Sequence, residues 1–535
     1  MLWIGLHLPW LSLEAFLATL PPGSAGAPVA LADRFGVLAV NGAAQALGVQ
    51  PGMKRPTALA LAPQLAFGEA DERRDAEGLM AVAHAALAFT PTVCLVPPAG
   101  VVLEVHSTLR YFGGFERLLQ RLTLALRPLG HRVWRASGAT AQGAVLLSRH
   151  RDGLHCPETP ELLRTLARLP VHLLDAAQPH LDTLTGMGLR QVGDLQRLPR
   201  DGLMRRFGEG LVEELDTAWG RRPDPRQALA LPDVFDSQVE LFARADTTEH
   251  LLQGAEVLLA RLVAWLSGHH AFVRRFQLLL RHEGRSRRSE GPAITPLDVA
   301  LAEPSRDFGH LQSLLRERLA ALQLPAPTLE LALHAQDIAR QPPPNAELFP
   351  TARSEHQGLT RLIERLQARL GPARVQRIVR VADHRPERCV AVQAYEPGAP
   401  PRPPEPVTGA SRRPARRQAR SSRDEPALAP AKLPDLRACP VEPARPPPRG
   451  RPVWLLPEPQ ALSERESRPV WSGQVLQLLC GPERIECGWW DAALAERDYF
   501  IAQTQEGALV WVYRARLPLS QDVEGGGWFL QGLFG

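Results

Sequence analysis

The first 130 residues alternate short apolar runs with amphipathic segments, and this alternation restricts the fold more than any other feature of the chain. Residues 2–8 (LWIGLHL) predict a buried strand, and residues 10–20 predict a helix with one apolar face. Residues 92–96 and 101–106 predict two paired strands joined by the turn Pro97-Pro98-Ala99-Gly100. A further strand at 35–41 and helices at 55–64, 76–90 and 114–128 complete the pattern. Antiparallel strands with helices on one face predict an α+β domain over residues 1–160.

The next two segments predict different architectures. Residues 160–225 predict only short helices, with breaks at Gly188, Gly193, Pro199 and Gly208, so we expect a helical domain over 161–232. Residues 233–340 predict a second α+β domain with the order β-α-β-β-α-β. Its predicted elements are strand 237–245, helix 248–268, strands 271–281 and 294–302, helix 308–322 and strand 328–335.

The last third of the chain changes composition. Many of the 51 prolines fall in residues 396–450, which are rich in proline, arginine and alanine. Such a segment buries too little apolar surface to offset the entropy of ordering, so it predicts a disordered linker. Residues 341–395 are interpreted as a connecting region. Residues 451–535 contain six of the eleven tryptophans and predict a small β-rich module.

Charge and cysteine usage limit the class of protein. The net charge of +5 is compatible with a polyanionic partner without establishing one. The six cysteines are scattered with no C-x-x-C pair, which favours a reducing compartment and gives no zinc signature. No Lys or Arg precedes Arg34, and no apolar run is long enough to span a bilayer. We therefore expect a cytoplasmic protein with no membrane association.

Three motif-bearing stretches follow one another in the order found in Y-family (translesion) DNA polymerases. They are LWIGLHLPWLSLEAFLA, VLAVNGAAQALGVQPGMKRPTALALAPQL and FTPTVCLVPPAGVVLEVHSTLRYFGG. The resemblance implies a polymerase-like palm and fingers at 1–160, a helical thumb at 161–232 and a βαββαβ little finger at 233–340. Enzymes of this family need acidic side chains on two Mg²⁺ ions, which hold the attacking and leaving oxygens.

The acidic positions of the family are not acidic in this chain. Aligned on Glu14 and on Glu104, the family's metal-binding acids fall on Gly5, His7, Ala99 and Gly100. The triphosphate-binding Tyr and Arg of the family fall on Gly42 and Gln45. The resemblance therefore predicts a polymerase-like fold without a metal site, without a cofactor and without polymerase activity.

Three nearby groups were considered as substitute ligands. Glu14 and Glu104 are expected to face away from the site, because a shift of one residue along a strand moves a side chain to the opposite face. His7 suits a softer metal than Mg²⁺, which prefers oxygen ligands. An active lesion-bypass polymerase with displaced ligands is the alternative at this point.

A distinctive block near the C-terminus makes the resemblance more specific within the Y-family-like proteins. Its sequence is GPERIECGWWDAALAERDYFIAQTQEGALVWVYRA. Together with the missing acids it resembles the ImuB family, the polymerase-like subunits of the bacterial mutasome. The resemblance implies an inert scaffold in SOS-induced mutagenesis. The partners it implies are the sliding clamp, an error-prone replicative-type DNA polymerase, the RecA-like accessory protein ImuA, and primed or damaged DNA.

A short peptide after the little finger predicts contact with the clamp. The stretch QPPPNAELFP resembles the bacterial clamp-binding pattern Q-x-x-L-F, with Asn345 in place of Gln and Leu348 and Phe349 as the adjacent apolar pair. The prolines before it would keep the peptide extended and reduce the ordering cost of binding. A competing sequence, Gln531-Gly532-Leu533-Phe534, is expected to belong to the core of the last module.

Basic residues suggest two places for DNA contact. The little finger carries an arginine cluster, Arg274, Arg275, Arg281, Arg285, Arg287 and Arg288, and the linker carries SRRPARRQARSSR. In the thumb, the family's phosphate-binding hairpin aligns with Asp175-Ala176-Ala177, where an acidic side chain opposes phosphate. We therefore expect the little finger, and not the thumb, to contact DNA. A plain DNA-binding protein with no clamp contact is a third possibility.

Overall fold

The chain forms two units, described here by a computed structural model. The described residues are 1–283, 293–340, 352–395, 450–490, 493–516 and 527–534. The first unit is Met1–Val375 and mixes strands with helices, whereas the second, Gln376–Gly535, is built mainly from strands. The mixed α and β content predicted from the sequence is confirmed.

The N-terminal segment alternates strands and helices closely as its sequence predicts. Its strands are β1 (Trp3–His7), β2 (Val29–Ala32), β3 (Val37–Val40), β4 (Ala66–Glu69), β5 (Val93–Val96), β6 (Gly100–Glu104), β7 (Trp134–Gly138) and β8 (Leu154–Cys156). Its helices are α1 (Leu11–Leu17), α2 (Gly42–Ala46), α3 (Arg55–Leu61), α4 (Glu72–Leu87), α5 (Leu109–Phe112), α6 (Phe115–Leu126) and α7 (Ala141–His150).

The main sheet of this segment has β1 at its centre, in the order β5-β6-β1-β7-β8. Side chains of β1 alternate between two faces. Ile4 and Leu6 lie in one hydrophobic core with residues of α4 and α6. The opposite face packs on α7, where Val102 of β6 contacts Ala144. The prediction that helices lie on one face only is therefore wrong, and α7 covers the other face. A separate three-stranded sheet, β3-β2-β4, packs on α2 and α3.

The following segment is helical, as predicted. Its helices are α8 (Thr159–Ala167), α9 (Leu181–Gly186), α10 (Val192–Gln196), α11 (Arg200–Phe207) and α12 (Glu209–Trp219). Gly188 and Gly208 separate helices and have φ of 77° and 88°, a conformation that favours glycine. The predicted break at Gly193 is wrong, because this residue lies inside α10. A Cβ there would stand 2.7 Å from the carbonyl oxygen of Ala167, so Gly193 permits α10 to pack closely on α8.

The next segment has the predicted order of elements, β-α-β-β-α-β. These elements are β9 (Phe235–Ala245), α13 (Thr248–Gly268), β10 (Phe272–His282), β11 (Ile294–Ser305), α14 (Phe308–Ala320) and β12 (Thr328–Ala339). The sheet order is β11-β10-β12-β9, and α13 and α14 share a hydrophobic core with one of its faces. Among the described residues, one helix is long enough and apolar enough to cross a membrane by length and composition, and this helix is α13. Its apolar residues, including Leu258 and Trp265, are buried in this core.

Helix α13 also packs directly on α4. The Arg261 guanidinium, which is nearly buried, forms an ion pair with Glu77 of α4. Near the end of the contact, a Cβ at Gly268 would stand 2.9 Å from the carbonyl oxygen of His84. Burial lowers the pKa of His84 to about 4, and the nearby His269 acts in the same direction. The two α+β domains of the first unit are thus joined through a helix pair that contains a neutral, buried imidazole.

This imidazole predicts a loss of stability in acid. Between pH 7 and pH 5 the unfolded chain takes up a proton at His84 that the folded chain does not, so this residue should lower the free energy of unfolding by about 2 kcal/mol. The H84L variant should lose less stability over this pH range. Urea unfolding at both pH values, followed by circular dichroism, measures the difference. Equal losses in H84L and the parent would contradict the prediction.

The structure adds elements that the sequence did not predict between residues 341 and 395. Helix α15 (Ala352–Leu370) packs on α14 and buries Ala368 in the same core. Strands β13 (Gln376–Arg380) and β14 (Val390–Ala394) then form an antiparallel hairpin in the second unit. The segment interpreted as carrying the clamp motif and connecting two domains thus also contains a helix and a strand pair. The predicted linker, 396–450, lies outside the described residues apart from Gly450.

The C-terminal module is β-rich, as predicted. Its strands are β15 (Trp454–Arg465), β16 (Arg468–Trp471), β17 (Gln474–Val475), β18 (Gln477–Cys487), β19 (Ala495–Gln503), β20 (Leu509–Ala515) and β21 (Trp528–Leu533). They form one seven-stranded sheet in the order β17-β16-β15-β21-β20-β19-β18.

Candidate functional site

The four positions aligned with the family's metal-binding acids lie together at one end of the main sheet. His7 of β1 is directly opposite Gly100 of β6, and the backbone N–H of Leu8 donates to the carbonyl oxygen of Ala99 over 2.8 Å. Gly5 lies two residues earlier on β1, between Val102 and Ala136 of the neighbouring strands. The structure therefore brings these four positions close together. Their assignment as former acid positions rests on the sequence alignment.

Helix α7 occupies the space that a side chain at Gly5 would need. An ideal Cβ on Gly5 would stand 2.3 Å from the carbonyl oxygen of Ala144 and 2.9 Å from Oγ of Ser148. The first distance is far below any normal contact and involves the backbone of a buried helix. No carboxylate can be added at this position without displacing α7.

Gly100 is restricted in a similar way. A Cβ there would stand 2.9 Å from the carbonyl oxygen of Val96, on the neighbouring strand β5. Gly100 is buried and its φ is not positive, so close packing, and not an unusual backbone conformation, limits this residue.

His7 is the remaining candidate ligand, and its surroundings disfavour positive charge on the ring. Burial lowers the pKa of His7, the Arg149 guanidinium lowers it further, and a hydrogen bond with the Ala99 backbone raises it. The guanidinium of Arg149 therefore adds positive charge in the neighbourhood of His7. In the described ranges, no group of three or more His, Cys, Asp or Glu side chains is arranged to hold a metal ion. The residues present do not fit a pair of Mg²⁺ ions, which require several oxygen ligands.

The two acidic residues near these positions, Glu14 and Glu104, accept hydrogen bonds from backbone N–H groups. Oε2 of Glu14 accepts a hydrogen bond from the backbone N–H of Arg132 over 2.9 Å. Oε1 of Glu104 accepts one from the N–H of His106 over 3.0 Å, at the end of β6 remote from Gly100. Both carboxylates are thus engaged with backbone N–H groups. Gly42 and Gln45 are exposed on α2 and offer neither an aromatic ring nor a cation to a triphosphate.

The segment Asp175-Ala176-Ala177, which aligns with the family's phosphate-binding hairpin, contacts a carboxylate of the chain itself. The backbone N–H groups of Asp175 and Ala176 donate to Glu214 of α12 over 3.1 and 2.8 Å. Burial raises the pKa of Glu214, and these two N–H groups act in the opposite direction. Nε2 of Gln142 on α7 donates to the same carboxylate over 2.9 Å. These two hairpin N–H groups therefore already have an anionic acceptor.

The acidic side chain of the hairpin is paired as well. Nη1 of Arg149 donates to Oδ1 of Asp175 over 2.7 Å. Arg149 belongs to α7 and is also the cation beside His7. Helix α7 thus occupies the side-chain space at Gly5, and it also contacts Glu214 through Gln142 and Asp175 through Arg149. Sequence reasoning missed this role of α7.

Three of the six predicted DNA-binding arginines lie in the described residues, all on β10. Arg274 and Arg275 are exposed. Nε of Arg281 lies 3.7 Å from Oε1 of Glu330 on β12. Arg274 and Arg275 form no ion pair within the part of the chain that the structure describes. The other three, Arg285, Arg287 and Arg288, lie outside the described residues.

Acidic residues share the sheet face of these arginines. Side chains of β10 that alternate with the buried Leu278 and Leu280 point away from α13 and α14. The register places acids of the neighbouring strands on that face, namely Asp236, Glu240, Asp298 and Glu330. The predicted basic cluster is therefore offset by acids that are distant in sequence.

The candidate clamp-binding residues Asn345, Leu348 and Phe349 lie outside the described residues. The competing sequence is in β21, where Gln531 is buried and its Oε1 accepts a hydrogen bond from the Tyr499 hydroxyl over 2.6 Å. The prediction that this second sequence belongs to the core of the last module is confirmed.

Comparison with known proteins supports one resemblance over most of the chain. No family model matches the chain. Two curated proteins named Protein ImuB, from two strains of Caulobacter vibrioides, are each 28% identical over 515 residues. These matches cover 91% of this chain and 100% of each relative. The predicted resemblance to ImuB is confirmed.

Solved structures were compared as well. An insertion ternary complex of Dbh DNA polymerase is 15% identical with a TM-score of 0.36. A Y-family DNA polymerase chimera based on Dbh is 14% identical with a TM-score of 0.35. Each of these two matches covers 63% of this chain and 99% of the chain in the solved structure.

The similarity to ImuB extends into the C-terminal module, because the unmatched tenth of the chain is shorter than residues 451–535. In this ImuB-like module five of the six tryptophans form two groups, and the sixth, Trp471, is partly buried. Trp511 and Trp528 are buried in its cores. Trp489 is 74% exposed, Trp490 is 50% exposed and Trp454 is 69% exposed. Core packing explains the first group, whereas the second group is available to a partner.

Proposed function

We propose that this chain is a non-catalytic, Y-family polymerase-like scaffold in SOS-induced translesion synthesis and mutagenesis. Its palm and fingers would be residues 1–160, its thumb 161–232, its little finger 233–340 and its interaction module 451–535. It would link the sliding clamp, an error-prone replicative-type DNA polymerase and the RecA-like protein ImuA at damaged DNA, in the cytoplasm. The similarity to Protein ImuB supports this family context.

The close contact between Gly5 and α7 is the observation that carries the proposal of inactivity. It leaves no room for a carboxylate on the central strand of the sheet, where the alignment places the family's first acid. The positive charge of Arg149 beside His7 is also unfavourable for divalent cations. These features favour a scaffold over the alternative of an active polymerase with displaced ligands.

Primer extension by the purified full-length chain tests this proposal. With Mg²⁺ or Mn²⁺ and a primed template, we expect no extension. If some extension is seen, we attribute it to a contaminating enzyme. It should then be equal in the parent and in an E14Q/E104Q variant, because a contaminant does not depend on these two residues. Extension that disappears in this variant would establish an active polymerase and contradict the scaffold.

For DNA, the proposal assigns contact to the exposed Arg274 and Arg275. Arg281 is less available because Glu330 partly neutralises it. The thumb hairpin is not assigned a phosphate contact, because Glu214 occupies its N–H groups. Charge contacts of this kind bind the DNA backbone without reading sequence, and their affinity falls as salt rises.

For the clamp, the proposal assigns Asn345, Leu348 and Phe349. We expect the L348A/F349A variant to bind purified sliding clamp at least ~10-fold more weakly than the parent, since paired apolar anchors dominate such interfaces. Calorimetry or surface plasmon resonance measures this loss. The N345Q variant is the matched control and should bind at least as well as the parent. Unchanged binding by L348A/F349A would favour a DNA-binding protein without this clamp contact.

A further inference from the structure

A large open cavity lies in the first unit, where helix α6, the end of α4 and the start of β10 meet. Its volume is about 1020 Å³. Four aromatic side chains contribute to its wall, Phe89, Tyr111, Phe112 and Phe272, together with the apolar Leu229 and Leu231. None of the residues discussed above as clamp-binding, DNA-binding or lost catalytic positions lines it. The cavity is therefore separate from the proposed functions of this chain.

The charged side chains that line this cavity are all basic. Arg121, Arg306 and His270 line it, and none of its described lining residues is Asp or Glu. The guanidinium of Arg306 lies 4.7 Å from the centre of the Phe272 ring, and that of Arg121 lies 5.8 Å from the centre of the Phe112 ring. Within the described residues, neither arginine forms an ion pair with a carboxylate.

Arg306 is a half-buried cation without a compensating anion. Burial lowers the pKa of Arg306, and no acidic group opposes this effect. A guanidinium that stacks on an aromatic ring keeps its N–H edge available for a carboxylate, which can accept two parallel hydrogen bonds. A partner that brings carboxylates would thus relieve an existing electrostatic cost.

We infer that this cavity docks an acidic peptide segment of a partner protein, with an aromatic or aliphatic side chain between its carboxylates. The apolar side chain would lie against the three phenylalanine rings, and the carboxylates would pair with Arg121 and Arg306. Charge complementarity selects an acidic partner. The apolar wall favours a peptide over double-stranded DNA, whose convex phosphate backbone offers nothing to fill an aromatic cavity.

Fluorescence anisotropy with the full-length chain tests this inference. The probe is a fluorescein-labelled peptide, EEDLWDEE, and the control peptide has alanine in place of its Leu and Trp. The R121Q/R306Q variant removes both cations, and A125W fills the cavity from α6 without changing charge. The R205Q variant is the matched control, because Arg205 is an exposed arginine of α11 that does not line the cavity.

The parent should bind the probe saturably. Binding should be at least tenfold weaker in R121Q/R306Q, in A125W and with the control peptide, and within twofold of the parent in R205Q. Absence of saturable binding, or equal binding by R121Q/R306Q, would overturn the inference. Equal binding of the control peptide would also overturn it, since it would indicate general charge attraction. Competition by oligo-dT that depends on the same two arginines would assign the cavity to nucleic acid instead.

Discussion

The G5D variant is expected to lose more than ~4 kcal/mol of its free energy of unfolding and to gain no polymerase activity. The substitution would appear to restore the first acid of a polymerase site. In this fold it would force a Cβ to within 2.3 Å of the carbonyl oxygen of Ala144. It would also bury a carboxylate beside a carbonyl oxygen and the Ser148 hydroxyl oxygen. Helix α7 cannot simply move aside, because its Leu146 and Leu147 belong to the core shared with the helical segment that follows.

Chemical unfolding followed by circular dichroism and tryptophan fluorescence measures this loss. The G202D variant is the matched control, because Gly202 is exposed on α11 and a Cβ there meets nothing within 4 Å. Its stability should stay within ~0.5 kcal/mol of the parent. A G5D variant as stable as the parent would contradict the packing argument. If that variant also extended a primer with Mg²⁺, the proposal of an inert scaffold would have to be abandoned.

Much of the local structure could be predicted because its signals are local. Alternation of apolar residues located β1, β5 and β6, and the amphipathic stretch at 248–268 gave the exact bounds of α13. The order of elements in the second α+β domain followed in the same way. The linker is a compositional prediction that the described residues do not test.

Contacts between distant segments could not be predicted by these means. The sequence indicated that an acid was absent at Gly5, whereas the structure shows that α7 occupies its place. A run of small residues, with Gly138, Gly143 and Ala144 around the start of α7, was the available signal for such close packing. The acids opposite Arg275 and Arg281 come from other strands, so only the register of the sheet reveals them.

The E214A variant is expected to lose about 3 kcal/mol or more of its free energy of unfolding. Its carboxylate accepts hydrogen bonds from the N–H groups of Asp175 and Ala176 and from Gln142. Truncation would leave the buried Gln142 and the partly buried Ala176 without their acceptor, and each unsatisfied buried donor costs about 1–3 kcal/mol. The E213A variant is the matched control. Glu213 is the neighbouring residue and its ion pair with Arg222 is solvent-exposed, so its loss should cost less than ~1 kcal/mol.

The place where the E214A variant becomes sensitive to protease shows whether Glu214 holds two segments together or stabilises the whole chain. Because Glu214 joins the thumb to α7, limited proteolysis of E214A should expose new cleavage sites between residues 157 and 232 before the little finger is cut. The E214Q variant keeps one carbonyl acceptor and should lose about half as much stability as E214A. Equal stability of E214A and E213A would contradict this role. It would mean that water can replace Glu214 as the acceptor of these N–H groups without loss of stability.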